Sequence, residues 1–259
     1  MNQAGQFNTG AYPDSALDTP DGKVLFVAGG SSSWLWNTQT YSHIQILDQN
    51  EVRFLSAGSD NHTVYATGGN LLIYHFTTFA DVSWKYWARS WIERLYNNGI
   101  TGGCGTGIYC PDSTVTRAQM AVFLLKGIHG SGFTPPAVGV NTGFTDVATD
   151  YWAAAWIKQL AAEGITGGCG TGNYCPDATV TRAQMAIFLL KAKHGSSYSP
   201  PAATGVFTDV PVGYWARNWI EQLAAEGITG GCGTGVYCPD SSVTRAQMAV
   251  FLVKAFNLP

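Results

Sequence analysis

Gly102-Gly103-Cys104-Gly105-Thr106-Gly107-Ile108-Tyr109-Cys110-Pro111-Asp112 returns, changed at one position, as residues 167–177 and again as 230–240. Two residues later each copy runs into Val-Thr-Arg-Ala-Gln-Met, at 115–120, 180–185 and 243–248. The leading cysteines, Cys104, Cys169 and Cys232, stand 65 and 63 residues apart. Self-similarity at such a period governs the architecture before any single residue does. Three near-identical modules point to repeated binding surfaces or a scaffold rather than to a single-site enzyme.

Upstream of each loop lies Phe-(Ala/Thr)-Asp-Val, carried by Phe79, Asp81 and Val82, by Phe144, Asp146 and Val147, and by Phe207, Asp209 and Val210. Apolar residues then recur at i, i+4 and i+8: Trp87, Trp91, Leu95; Trp152, Trp156, Leu160; Trp215, Trp219, Leu223. This spacing predicts an amphipathic helix of about 11–13 residues. It stops at Asn98-Gly99, Glu163-Gly164 and Glu226-Gly227, where glycine supplies a left-handed cap. Downstream of the loop, Thr116 with Gln119, Thr181 with Gln184 and Thr244 with Gln247 form capping boxes. A second helix follows through Met120, Phe123 and Leu124 and their counterparts. One helix pair cannot cover its own apolar face, so the three repeats share a core. The segments with Pro135-Pro136 and Pro200-Pro201 start flexible and then stiffen, and read as connectors from one prong of a bundle to the next.

All six cysteines fall in the repeats. Six allow fifteen pairings, but the duplicated spacing favours one local bridge per repeat: Cys104–Cys110, Cys169–Cys175 and Cys232–Cys238. In the chain-entropy model closing so short a loop is worth about 2 kcal/mol. A zinc knuckle brings its thiolates closer in sequence and needs two further ligands; His129 and His194 have no histidine counterpart in the third copy. The spacing is not that of a redox dithiol either. No metal, no cofactor and no catalytic residues are expected.

Arg117, Arg182 and Arg245 occupy the first turn of the second helix, where the helix dipole disfavours a cation. One explanation is a bond to Asp81, Asp146 and Asp209, or to carbonyls of the Gly-rich loop. The other is a ligand carboxylate or phosphate held by the guanidinium, helped by free amides at the helix start.

Composition narrows the partners. Charged residues make up 12% of the 259 residues and the net charge is -3, which argues against nucleic-acid binding by phosphate neutralisation. Of nine Trp and twelve Tyr, seven Trp lie in the repeats and belong largely to the core, and the surplus offers aromatic surface suited to sugars or a protein neighbour. No apolar run is long enough to span a membrane. Met1 to Gly5 lacks the charged start of a secretory signal, yet the cysteines argue for an oxidising compartment. Either a leader has been removed or the chain is a piece of something longer.

Residues 1–78 have a different texture. Val24–Val27, His43–Leu47, Val52–Leu55, Thr63–Ala66 and Leu71–Tyr74 read as strands, with turns at Asp21-Gly22, Ala57-Gly58, 59–61 and 68–70. A small β-sandwich, or a sheet completed by a neighbouring subunit through its open edges, fits this pattern. Asp14, Asp18, Asp21, Asp48 and Glu51 do not have the spacing of a calcium loop. His43, His62 and His75 form no catalytic set.

The combination Phe-x-Asp-Val, Trp-Ala, Leu-x-x-x-Gly-Ile-x-x-Gly and Pro-Asp-x-x-Val-Thr-Arg-Ala resembles the S-layer homology (SLH) domain, in three copies over about 180 of the 259 residues. The resemblance implies an α+β chain: a β-rich region at 1–78, then helix-loop-helix repeats at 79–130, 144–195 and 207–259 packed as a pseudo-threefold, three-pronged bundle. It implies non-covalent anchoring of a secreted, cell-surface protein to cell-wall polysaccharide, often pyruvylated, in grooves between prongs. By match to the family motif the ligand-binding set is Arg117, Arg182 and Arg245, with Thr116, Thr181, Thr244, Gln119, Gln184 and Gln247 beside them. Gln stands where the family motif has Glu, and the Cys loop is an addition. The alternative function is a structural subunit of an S-layer, fibre or other extracellular assembly, a homo-oligomer joined through the β-region. A third, an enzyme whose anchor this is, leaves too few residues for a recognisable site.

Overall fold

The computed structural model describes residues 15–18, 24–29, 32–37, 42–48, 54–57, 63–67, 71–75 and 77–259. The chain divides into two compact units, 1–77 and 78–259.

The first unit holds two antiparallel meanders. β1 (Ser15–Asp18), β2 (Val24–Gly29), β3 (Ser32–Asn37) and β4 (Ser42–Asp48) form one; β5 (Phe54–Ala57), β6 (Thr63–Thr67) and β7 (Leu71–His75) form the other. Phe26 and Val27 on β2 and Val64 on β6 are buried. Five strands match the alternating runs read from sequence; β1 and β3 are additional. Ser-Ala-Leu-Asp carries little β-propensity, and β1 is a strand because it pairs with β2, Leu17 opposite Phe26. The flanking serines of β3 hide a Trp-Leu-Trp core in which Trp34 pairs with Val27 and Trp36 with Leu25. The turn assignments at 21–22, 58–61 and 68–70, with Met1–Gly5, Asp14, Glu51 and His62, lie outside the described residues.

The second unit contains six helices: α1 (Arg89–Asn97), α2 (Arg117–His129), α3 (Ala154–Ala162), α4 (Arg182–His194), α5 (Arg217–Ala225) and α6 (Arg245–Ala255). The capping boxes form. Thr116, Thr181 and Thr244 accept from the amides of Gln119, Gln184 and Gln247, whose side chains accept in return. The first helix of each repeat is closed by Gly99, Gly164 or Gly227, each near φ +70°. The amide of Gly99 reaches Tyr96 and that of Ile100 reaches Leu95, which uses up carbonyls orphaned at the helix end.

Two expectations are corrected here. The first helices are nine residues long rather than 11–13, because they begin after the Trp-Ala pair. Trp87, Trp152 and Trp215 therefore lie outside the helical stripe and are each 60% exposed, while Trp91, Trp156 and Trp219 pack against the core. The proline-bearing connectors also do not pass between prongs. The packed helix pairs are α2 with α3, α4 with α5, and α1 with α6, so a connector joins the two helices of one prong. The crossing between prongs falls to the Cys loop.

A closed ring of backbone hydrogen bonds lies where the repeats meet. The amide of Val115 donates to the carbonyl of Val243, Val243 to Val180, and Val180 back to Val115, at 2.9–3.0 Å. All three side chains are fully buried. Around this ring each repeat grips the next. Arg117 and Ala118, opening α2, donate their amides to Ala178 and Pro176 of the second repeat. Arg182 and Ala183 do the same to Ser241 and Pro239, and Arg245 and Ala246 to Ser113 and Pro111. Orphan amides of a helix start are thus satisfied by the neighbouring repeat.

The Cys loops are set for this exchange. Each disulfide forms as expected, with Cα atoms 6.0 Å apart, within the range a relaxed bridge requires. Cys110, Cys175 and Cys238 have φ of 57–58°, a left-handed conformation that costs a non-glycine residue about 1–2 kcal/mol. Asp81, Asp146 and Asp209 offset that cost by accepting from the amides of that cysteine and the preceding tyrosine, at 2.6–2.8 Å. The lead-in to each repeat is tied down according to its own polarity. Glu93 accepts from Thr78, Glu221 accepts from Thr204 and Gly205, and Lys158 donates to the carbonyls of Val138 and Asn141.

Tyr109, Tyr174 and Tyr237 are fully buried, and burial pushes each phenol well above the ordinary tyrosine value, the neighbouring arginine pulling the other way. A group whose pKa rises on folding stabilises the fold below its unfolded value, about 10 for tyrosine, and that stability is lost as pH climbs toward the folded value. Stability should therefore be flat up to about pH 10 and fall steeply from there past pH 12. The phenolate absorbance of these three tyrosines, out of twelve in the chain, should appear together with loss of helical circular dichroism. Ionisation of all twelve tyrosines before any loss of helical signal would contradict the burial.

Candidate functional site

Arg117, Arg182 and Arg245 are 2–4% exposed, and the structure answers the question the sequence left open about them. None forms an ion pair among the described residues. Asp81, Asp146 and Asp209 are occupied with loop amides, as above. Each guanidinium instead donates through Nε to a tyrosine carbonyl in the next repeat: Arg117 to Tyr174, Arg182 to Tyr237 and Arg245 to Tyr109, at 2.7–2.8 Å. The tyrosine hydroxyl returns a bond to the arginine carbonyl at 2.8–2.9 Å. The guanidinium carbon lies 4.7–4.8 Å from the centre of the same tyrosine ring, within cation–π reach.

The amides at the helix start are not free for a ligand, contrary to the reading from sequence, since the adjacent repeat holds them. Thr116, Thr181 and Thr244 have their hydroxyls engaged in the caps. What remains is the outer edge of the guanidinium. Nη2 of Arg117 and of Arg245 is buried without a hydrogen-bond partner, whereas Nη2 of Arg182 donates to Thr229 at 3.4 Å. Burial pushes these guanidinium pKa values down, while the adjacent phenol and aspartate act in the opposite direction. Arginine keeps its proton in proteins, so the result is a desolvated cation with unused donor capacity.

Arg245 lines a groove of about 380 Å³. Its wall is the glycine-rich approach to the first Cys loop, including Gly102 and Gly103, and its other side is α2 through Gln119 and Lys126. Gly103 has φ +94° and a Cβ there would lie 2.3 Å from the Ile108 carbonyl oxygen, so the wall must be bare backbone. Trp152 of the second repeat completes the lining. All three repeats contribute: wall and helix from the first, tryptophan from the second, arginine from the third. Trp87 and Trp215 hold the equivalent positions in their repeats and are equally exposed. Sequence reading placed these tryptophans in the core, because residues at i and i+4 share a helix face only when both are helical. The Trp-Ala pair carried the missing signal: Ala88, Ala153 and Ala216 are wholly buried, so the preceding side chain is turned outward.

Outside the repeats' own machinery, Trp84 is covered by the Arg89 guanidinium 3.8 Å above it. Asp146 lies near the Cys169 and Cys175 sulfurs, but those sulfurs are bonded to each other and hold no thiolate for a metal.

The sequence profile of the S-layer homology domain matches residues 78–121, 143–186 and 206–249. The chain is 30% identical over 145 residues to a cellulosome-anchoring protein of Acetivibrio thermocellus, 56% of this chain and 32% of that protein. It is 29% identical over 175 residues to an S-layer protein of Bacillus licheniformis, 68% of this chain and 19% of the other. It is 30% identical over 178 residues to the exoglucanase XynX of Acetivibrio thermocellus, 68% and 16% respectively. The chain therefore spans less than a third of the length of each.

The Arg–Tyr exchange gives all three arginines a structural part, and Arg245 lines the groove as well. Arg182→Met should cost about 2–3 kcal/mol, as expected for losing charge-assisted bonds and leaving a buried carbonyl unpaired. Urea unfolding with the disulfides intact measures this. An unchanged midpoint would mean that the Arg–Tyr exchange adds nothing to stability.

Proposed function

Because this chain belongs to the S-layer homology domain family, a family of binding modules that attach proteins non-covalently to secondary cell-wall polymer, we propose that residues 78–259 anchor a cell-surface protein to wall polysaccharide through grooves of the kind lined by Arg245 and Trp152. The observation that carries this reading is the buried guanidinium with an unpaired Nη2 at a groove flanked by an exposed tryptophan. A desolvated cation with a spare donor favours an acidic group, and an indole face favours the apolar side of a sugar ring. Both match an acid-bearing glycan. Arg117, Arg182 and Arg245 supply the charge, Trp87, Trp152 and Trp215 the platforms, and Gln119, Gln184 and Gln247 stand at the start of the groove helices. Thr116, Thr181 and Thr244 support the site by fixing those helices. No helix among the described residues is long and apolar enough to cross a membrane.

The test is co-sedimentation of the oxidised protein with purified cell-wall sacculi, before and after removal of their secondary polymer. The tryptophans are mostly exposed, so the triple Trp87→Ala, Trp152→Ala, Trp215→Ala variant should fold. It should lose wall binding by roughly tenfold or more, as for removal of aromatic contacts. Undiminished sedimentation of the folded variant, or of the parent with stripped sacculi, would sink the proposal.

A second reading is that the β-unit joins copies into an extracellular assembly. It is supported by the meander order: among the described strands, β4 and β7 each pair on one side only, and such edges are templates for another chain. Sedimentation velocity across a hundredfold concentration range should then show association of the full chain and none of residues 78–259 alone. A monomer throughout would leave anchoring as the sole role.

A further inference from the structure

The groove that holds Arg245 is lined by hydrogen-bond donors and by no carboxylate. Its helical side is Gln119, Val122, Phe123 and Lys126, which stand at i, i+3, i+4 and i+7 and so form one stripe of α2. The stripe rises about 10 Å from end to end. Arg245 stands at its middle: the guanidinium carbon lies 5.7 Å from the Phe123 ring centre, and Nη2 is buried without a hydrogen-bond partner. Lys126 closes the far end. It forms no ion pair among the described residues, and its Nζ donates to the Gly99 carbonyl at 3.5 Å.

Gln119 has donors to spare as well. Its side-chain oxygen accepts from the Thr116 amide in the capping box, and among the described residues nothing accepts from its amide nitrogen. A glutamate caps a helix in the same way but would set a negative charge beside the guanidinium. Asp81, which attracts Arg245 through space, already accepts from two loop amides and does not line the groove. The pattern recurs: Gln184 with Lys191 and Gln247 with Lys254 keep the spacing, and those lysines reach the Gly164 and Gly227 carbonyls. Together with Arg117, Arg182 and Arg245, the three lysines take six of the fourteen Lys and Arg in a chain of net charge -3. Cations gathered at equivalent positions in an otherwise acidic chain are placed for an anion.

We infer that the groove takes a glycan segment bearing two acidic groups, carboxylate or phosphate, one set on Arg245 and the other on Lys126, with Gln119 donating to a neighbouring oxygen. The inference rests on the anchoring role proposed above and narrows its ligand. A single acidic group satisfies the buried Nη2 and leaves Lys126 unpaired about one helical turn further on. Two acidic groups satisfy both cations. The contact with Lys126, being the more exposed, is the one that salt screens. The neutral Gln119 keeps the groove fit for a doubly charged ligand, since a carboxylate there would cancel one of its two positive charges.

The experiment is co-sedimentation of the oxidised full chain with purified sacculi that retain their secondary polymer, at rising sodium chloride. Two triple variants accompany the parent: Lys126→Gln, Lys191→Gln, Lys254→Gln, and Gln119→Glu, Gln184→Glu, Gln247→Glu. The second keeps the capping boxes, so it folds whatever part the lysines play in packing, and helical circular dichroism checks both. Losses of about two- to threefold per site compound to about tenfold over three. Each variant should therefore bind roughly tenfold more weakly at low salt, with a flatter salt dependence than the parent. Amidating the carboxyl groups of the sacculi separates the two sources: lost binding identifies carboxylates, and salt-dependent binding that survives identifies phosphates. A parent that binds, alongside either folded variant binding as tightly and with the same salt dependence, overturns the inference and leaves anchoring through one acidic group. A parent that fails to bind the sacculi overturns the anchoring role itself, and this inference with it.

Discussion

Three valine amides and carbonyls, each bonded to the next around a closed triangle, hold the repeat unit together. An isolated strand residue leaves its donor or acceptor unpaired, and burying either costs more than the bond returns. Val115, Val180 and Val243 avoid that cost only as a complete ring. The ring fixes which helix start meets which Cys loop, and the reciprocal Arg–Tyr bonds lock that arrangement in place. Helix pairing follows, so that every prong mixes two repeats and α6 closes on α1. Such a unit resists being cut into autonomous repeats, since each Cys loop completes another repeat's helix.

The same contacts explain why the groove is cationic. A guanidinium is needed to bridge a loop carbonyl and a tyrosine ring from a helix start, and a neutral side chain of that length would offer neither contact. Once there, the arginine is almost fully buried, and its neighbouring aspartate is engaged in stabilising the left-handed cysteine. A charge left without an acidic partner inside a protein is costly, and a ligand carboxylate would relieve it. The edges of the side chain are engaged differently: Nε binds the tyrosine carbonyl of the next repeat, while Nη2 of Arg117 and of Arg245 is buried without a hydrogen-bond partner. The three arginine sites are not identical, because Nη2 of Arg182 donates to Thr229 whereas that of Arg117 and of Arg245 is unpartnered.

Departures from threefold symmetry are coherent rather than scattered. In the third prong the histidine at the end of the second helix and its glutamate partner are both replaced by asparagine. Loss of one partner alone would strand a buried or half-buried polar group, so the set changes as a whole.

How much of this was legible beforehand depended on the range of the interaction. Capping boxes, left-handed glycines, bridges within each Cys loop and the existence of six helices follow from residues within a few positions of one another, and the sequence determined them. The repeat also determined that the three modules share a core. Residues 15–18 and 32–37 were unreadable because pairing, not propensity, makes them strands. Trp87, Trp152 and Trp215 were misplaced because helical phase is meaningless until the first helical residue is known. The destination of each arginine, a carbonyl 55, 57 or 136 residues away, was decided by the tertiary structure alone. Local spacing constrains a side chain's neighbours on its own helix, but only closure of the ring brings a loop from another repeat within hydrogen-bonding distance.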